Sequence, residues 1–265
     1  MINLKDKKRI VIKLGTSTLA HRTGKLNIRR MTNLTRVIAD LRNAGYEIIL
    51  VSSGAVGLGV GKLNLKERPK DTPTKQAAAA VGQCELMHFY DEMFSKYSVT
   101  VAQILLTKTI ISTPDRVDNV RNAVDTLTAM GVVPIVNEND TVAIDELELE
   151  IGENDSLSAI VASIVGAEVL IILSDIDGLY SKDPHKNQDA EMISVVSEIN
   201  DSIENLAGGA GSNLGSGGMA TKITAAKIAT TAGVDMIIMN GKNPEDLYKL
   251  FDGEQIGTYF PAVKS

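Results

Sequence analysis

Short apolar runs alternate along this chain with longer segments of helical periodicity. The runs Arg9–Leu14, Glu47–Ser52, Thr100–Leu106, Val132–Asn137, Glu168–Ser174 and Asp235–Met239 are rich in Val and Ile with little polar alternation. Such runs belong to strands covered on both faces. Between them, Ile28–Ala44, Thr74–Lys96, Thr113–Met130, Ser156–Val165 and Gly218–Ala232 read as helices. Thr113-Pro114 is a helix start, with a hydroxyl to cap and proline in the first turn. Gly45, Gly131, Gly166 and Gly233 each follow a predicted helix and precede a strand, where a C-terminal cap belongs. Strands separated by helices require right-handed crossovers, so the pattern predicts an α/β fold with a mainly parallel sheet. The segment Thr141–Gly152 is different. It is acidic and alternates Val142, Ile144, Leu147, Leu149 and Ile151 with polar residues, the pattern of a small hairpin or lid over the sheet edge.

Composition narrows the function. The 265 residues are 44% hydrophobic with no Trp, so aliphatic side chains must build the core. A net charge of −6 disfavours nucleic acid or an anionic membrane as the main partner, but not a nucleotide, for which a few local cations suffice. Cys84 is the only cysteine, which excludes an intrachain disulfide, and His21, His88 and His185 lack metal-ligand spacing. The charged N-terminus has too short an apolar run for a signal peptide or membrane span. A soluble, cytoplasmic protein is expected.

The polar clusters fall where the predicted strands end, and ligands of open α/β sheets collect beyond those ends. They are Lys13-Leu14-Gly15-Thr16-Ser17, Ser52-Ser53-Gly54-Ala55, Asn137-Glu138-Asn139-Asp140 and Ser174-Asp175. Gly152-Glu153-Asn154-Asp155 precedes a helix, and Gly215-Ser216-Gly217-Gly218-Met219-Ala220-Thr221-Lys222 opens one. Lys13 and Lys222 each stand beside glycines and hydroxyls, an arrangement that offers backbone N–H groups and a cation to an anion. Two such sites imply a polyphosphate held from both sides. Each cluster also has a purely structural reading: an ion-paired core lysine, a tight strand-to-helix turn at Ser53-Gly54, turn or N-cap chemistry at Asn137–Asp140 and Asn154-Asp155, or a glycine linker. Neither a Walker A sequence, nor a dinucleotide fingerprint, nor a nucleophile elbow occurs.

Taken together, these six elements resemble the amino acid kinase family, and within it the branch that phosphorylates the side chain of L-glutamate. The resemblance runs from about Arg9 to the C-terminus. Asn-Glu-Asn-Asp and Gly-Gly-Met-x-Thr-Lys are its more specific parts. It implies a three-layer αβα sandwich around a mainly parallel, roughly eight-stranded sheet. It implies a single kinase domain, 1–265, with residues 1–165 binding the amino acid and residues 166–265 binding ATP. Longer members of that branch carry a C-terminal PUA domain, which is expected to be absent here. The implied reaction is transfer of the γ-phosphoryl of ATP to the glutamate side-chain carboxylate, the first step of proline biosynthesis, with Mg²⁺ bridging the phosphates and L-proline as feedback inhibitor. Lys13, Lys222 and Asp155 match the family's catalytic positions. Ser53, Asp140 and Asn154 match its glutamate site. Lys13, Gly15, Ser174, Asp175, Ser216, Gly217, Gly218, Met219, Ala220, Thr221 and Lys222 match its ATP site. A homo-oligomer, dimer or tetramer, is implied too, and Thr113–Met130 has apolar surface for an interface. Two rivals stay open on the sequence: a family member acting on another acid or a nucleoside monophosphate, and a non-catalytic sensor of nucleotide or amino acid.

Overall fold

The computed structural model describes residues 4–21, 23, 25–142, 154–184, 186–207 and 218–263. The predicted hairpin or lid after Val142, the Gly152-Glu153 pair, and Gly215, Ser216 and Gly217 lie outside the described residues. Seven strands form one sheet: β1 (Arg9–Leu14), β2 (Glu47–Ser52), β3 (Val101–Leu106), β4 (Val133–Glu138), β5 (Val169–Ser174), β6 (Asp235–Asn240) and β7 (Thr258–Phe260). Their order is β3-β4-β2-β1-β5-β6-β7. All neighbours are parallel except β7, which runs antiparallel to β6. The helices are α1 (Thr16–Leu19), α2 (Ile28–Asn43), α3 (Ala55–Lys62), α4 (Thr72–Ser95), α5 (Lys108–Ile111), α6 (Pro114–Ala129), α7 (Asn154–Ile164), α8 (Asp201–Ala207), α9 (Met219–Thr231) and α10 (Asp246–Phe251).

The strand period of two sorts side chains between the layers. Ile10, Ile12 and Leu14 of β1 join Leu50 and Ile171 under α2, α4 and α10, where Leu34, Ile38, Leu86, Phe94 and Leu250 cover them. Val11 joins Ile49, Val51, Leu170 and Ile172 on the opposite face, under α6, α7 and α9. This is the predicted αβα sandwich. Lys13 is in phase with Val11 and therefore emerges on the α7–α9 face. The strand order also reverses at β1: the chain leaves it towards β2, β4 and β3, and resumes on its other side with β5, β6 and β7. Such a switch point opens a crevice above the carboxyl ends of the strands.

All six predicted strands form, within a residue or two of their expected ends. The four cap glycines all have positive φ, between 60° and 106°. Besides the short helices α1, α5, α8 and α10, which were not expected, three points differ. The sheet has seven strands among the described residues rather than roughly eight, and β7, three residues long, was too short to leave a periodic signal. α3 was not expected, because Gly57, Gly59 and Gly61 depress its intrinsic helicity. Tertiary contact overrides that penalty: a Cβ on Gly59 would lie 1.8 Å from the Ala78 carbonyl oxygen, and one on Gly82 would lie 1.7 Å from that of Ala55. Glycine lets α3 and α4 pack backbone to backbone. Finally, Thr113 occupies the N-cap position of α6 but does not cap it. The preceding α5 brings the Thr109 carbonyl within reach, and the Thr113 hydroxyl donates there at 2.7 Å.

The amino ends of the strands carry a separate ionic cluster. Arg9 donates to Glu47 at 2.7 Å, to Asp125 at 2.6 Å and to the Val165 carbonyl at 2.7 Å. It ties β1, β2, α6 and the end of α7 together at the pole away from the crevice.

Candidate active site

At the carboxyl end of β1, the Lys13 ammonium lies 2.6 Å from Asp155 Oδ1. From the first turn of α9, Lys222 lies 3.1 Å from Asp155 Oδ2. The Thr221 hydroxyl is also 3.1 Å from Oδ2. The Lys13 contact is an ion pair. All three charged residues are deeply buried, at 8%, 1% and 4% exposure for Lys13, Asp155 and Lys222. Burial alone would push the Asp155 carboxyl up, but the two lysines overcome it and hold the group below the ordinary carboxylate range. Among the described residues, Asp155 is one buried carboxylate placed between two ammoniums. Two ammoniums held together in this way suit an anion.

Asn154, the residue before Asp155, belongs to a second group. Its Nδ2 donates to Ser53 Oγ at 2.7 Å, to Asn137 Oδ1 at 3.1 Å and to the Ser52 carbonyl at 3.2 Å. Asn137, at the end of β4, in turn donates to Gln83 of α4 at 2.9 Å. Gln83 donates to Gln103 of β3 at 3.0 Å. Ser52 Oγ meets the buried Tyr90 hydroxyl at 2.9 Å. Ser53 leads into Gly54, whose φ of 103° makes the strand-to-helix turn, and α3 starts immediately after. Asp140 stands apart from this hydrogen-bonded group, two residues past the end of β4. Its carboxyl is pushed above its ordinary value by burial, with Lys75 and Arg68 pulling the other way.

The residues expected on the nucleotide side stand at the adjoining strand ends. Ser174 closes β5, and its hydroxyl lies 3.2 Å from the exposed Asp175 carboxylate. Gly15 follows β1 directly, and a Cβ there would sit 3.5 Å from the Lys13 ammonium. Gly218 precedes α9, Met219 and Ala220 begin it, and Thr221 turns its hydroxyl inward to Asp155. Ser216 and Gly217 fall outside the described residues. The structure thus brings together Lys13, Asp155 and Lys222, and joins Ser53 to Asn154.

Sequence reasoning passed over Gln83, Gln103 and Tyr90, and it quoted Asn137 without a role. The signal for Gln83 and Tyr90 was present. They are polar residues seven apart in α4, hence on one helix face, within a run otherwise lined by Ala78, Ala79, Leu86 and Phe94.

Residues 8–240 match the amino acid kinase family as a whole. The chain belongs to the amino acid kinase family. Among curated relatives of this amino acid kinase, the glutamate 5-kinase of Clostridium perfringens is 55% identical over 263 residues, 98% of each chain. That of Listeria monocytogenes serovar 1/2a is 50% identical over 264 residues, 99% of this chain and 96% of its own. Among solved structures, UMP kinase from Bacillus anthracis superposes with a TM-score of 0.66 at 17% identity, covering 97% of both chains. UMP kinase from Ureaplasma parvum gives 0.65 at 13% identity, covering 96% and 99%. These likenesses establish the amino acid kinase fold.

Proposed function

We propose that this kinase transfers the γ-phosphoryl of ATP to the side-chain carboxylate of L-glutamate, giving L-glutamyl 5-phosphate, the first step of proline biosynthesis. The observation that carries the reading is the pairing of Asn154 and Asp155. These consecutive residues tie a cluster of acceptor-site hydrogen bonds to a two-lysine anion site. Relatives of 50–55% identity named glutamate 5-kinase support the choice of acceptor.

In this reading residues 1–165 hold the acceptor and residues 166–265 the nucleotide, meeting at β1. Ser53, Asn154 and Asp140 take the glutamate, with Asp140 and the Asn154 carbonyl oxygen facing its ammonium. Lys13, Gly15, Ser174, Asp175, Ser216, Gly217, Gly218, Met219, Ala220, Thr221 and Lys222 take ATP. A carboxylate oxygen forms the new bond to the γ-phosphorus as the bond to the bridging β,γ-oxygen breaks, and ADP leaves with that electron pair. The nucleophile is already ionised, so no general base is required. Lys13 and Lys222 neutralise charge on the transferring group from two sides, and Asp155 orients them. Mg²⁺, when bound, supplies further neutralisation of the phosphates. Both oxygens of Asp155 are taken by lysines, so phosphate oxygens and water are the fitting ligands for that ion.

Proline has the ammonium and α-carboxylate of glutamate but no reacting carboxylate, so it fits the same anchors as a feedback inhibitor. A homodimer or tetramer belongs to the same reading, with α6, in which Val124 is the only fully covered residue, as the helix whose surface is open to a second copy. No helix among the described residues is long and apolar enough to cross a membrane, in keeping with a cytoplasmic site of action.

The deciding experiment traps the acyl phosphate as a hydroxamate with ATP, Mg²⁺ and each of L-glutamate, acetylglutamate, aspartate and no acceptor. Product from glutamate is expected. Product from a different acid only would refute the assignment. Proline titrated at several glutamate concentrations should show inhibition that glutamate relieves, and sedimentation should give an assembly larger than the 28.3 kDa chain.

A further inference from the structure

The side-chain amides behind the acceptor site form a chain whose direction is fixed at two points by backbone groups. The Ser52 carbonyl can only accept, so the end of the Asn154 amide 3.2 Å from it must be Nδ2. The Glu138 N–H can only donate, and it meets Asn137 Oδ1 at 2.9 Å. Asn137 therefore offers Oδ1 to Asn154 and turns Nδ2 inward. There it needs an acceptor, because Asn137 is 1% exposed. Gln83 Oε1 is that acceptor, at 2.9 Å. Its own Nε2 passes outward to Gln103 at 3.0 Å, on the exposed edge strand. The three contacts of Asn154 Nδ2 all lie within the protein, so its Oδ1 looks the other way. Among the described residues nothing donates to that oxygen.

We propose that Gln83 is a positioning residue for phosphoryl transfer. By holding the Asn137 amide in plane it keeps Asn137 Oδ1 on Asn154 Nδ2, and so steadies the Asn154 amide, whose polarity the Ser52 carbonyl sets, with its carbonyl oxygen, an acceptor, towards the ammonium of the amino acid substrate. The inference rests on the glutamate reading above and adds to it how the site recognises an amine. Gln83 is well placed for this task. Its neighbour Gly82 is pressed against the Ala55 carbonyl and the Gly59 amide, with no room even for a Cβ. α4 therefore cannot slide relative to α3, which starts one residue after Gly54. Without Gln83, Asn137 keeps a buried donor with no partner. It relaxes by rotating away from its present plane, and its Oδ1 leaves Asn154.

The test is a pair of variants assayed by hydroxamate formation with thermal unfolding in parallel. Gln83→Met keeps length and loses the acceptor. Gln83→Glu keeps an oxygen for Asn137, and the exposed Gln103 can turn its amide to meet the second oxygen. The Met variant should raise KM for L-glutamate roughly tenfold, the scale of one hydrogen bond to a charged group. Its kcat and its KM for ATP should stay within about twofold of wild type. The Glu variant should return the glutamate KM to near the wild-type value. An unchanged glutamate KM in Gln83→Met overturns the proposal. So does a loss in which kcat and both KM values move together with the melting temperature, the mark of a merely structural residue. Should Gln83→Met not fold, Gln83→Glu decides: a near wild-type glutamate KM supports the role and a raised one overturns it. A wild-type enzyme that forms no hydroxamate from glutamate overturns the acceptor reading and this role with it. An active wild type with an indifferent Met variant overturns the role of Gln83 alone.

Discussion

Lys13 and Lys222 are held on opposite oxygens of one buried carboxylate, Asp155, at 2.6 Å and 3.1 Å. The two ammoniums come from elements 209 positions apart in sequence and reach the carboxylate from β1 and α9. Their separation is thereby fixed by the fold itself, the arrangement that electrostatic preorganisation for an anion requires.

Removing one of these charges tests that preorganisation. Lys222→Ala is expected to lower kcat by about two to three orders of magnitude, with a folded protein, because Asp155 keeps Lys13 as partner. Lys222 is a buried side chain of α9 rather than a loop lysine, so some loss of stability accompanies the change. Turnover close to wild type, measured by ADP release, would remove Lys222 from the mechanism.

Asp155→Asn does the reverse and strands two buried ammoniums. A loss of about 3–5 kcal/mol is expected, the range for breaking a buried pair, read by urea denaturation near neutral pH. The folded-state pKa of Asp155 lies below its ordinary value. Its ionic contribution is therefore present above that ordinary value and is lost as pH falls through the depressed one. The gap between wild type and Asp155→Asn should shrink only on strong acidification. A gap already closing at neutral pH would contradict the ion-triple assignment.

Asp140 has the opposite shift, upward by burial. Its proton is retained to a higher pH than an ordinary Asp would hold it, and a protonated Asp140 cannot pair with an ammonium. The KM for glutamate should rise as pH falls through that raised value, while the KM for ATP changes little. In Asp140→Asn the glutamate KM should be high throughout and the acid-side rise lost. A profile shared by both proteins would assign the titration to another group.

Gly82→Ala probes the α3–α4 contact. The added Cβ would meet the Ala55 carbonyl oxygen at 1.7 Å and the Gly59 nitrogen at 2.5 Å, both backbone atoms that side-chain rotation cannot move. The helices must part, at a cost of at least about 1–3 kcal/mol. Because α3 starts at the Ser53-Gly54 turn, the glutamate KM should rise as well. A variant as stable as wild type would show that the helices have slack.

Arg9→Ala should separate stability from catalysis. Arg9 bonds Glu47, Asp125 and the Val165 carbonyl at the pole away from the crevice. A loss of about 1–3 kcal/mol is expected for its charged hydrogen bonds, with kcat and both KM values of the folded enzyme unchanged. A selective kinetic defect would mean that the two poles communicate.

Strands such as Arg9–Leu14 were legible because burial on both faces leaves an unbroken aliphatic run, and the helix ends were legible because glycine supplies the left-handed cap. α3 was not, since its stability resides in contact with another helix and its glycines argue locally against it. The charged site could be read because lysine in a Val/Ile strand and lysine behind a glycine loop are each conspicuous alone. Their meeting at Asp155 is a fact of topology. Gln83 and Gln103 were invisible for a related reason: an amide's role depends on what faces it, and their partners are more than 15 residues away in sequence.

The strand that carries Lys13 is bonded along both sides, residue 13 itself standing beside Val51 on one flank and Ile172 on the other. A plank nailed at both edges cannot serve as a door. The place of Lys13 is therefore set by the sheet itself and by the carboxylate it meets, not by any connection above the strands.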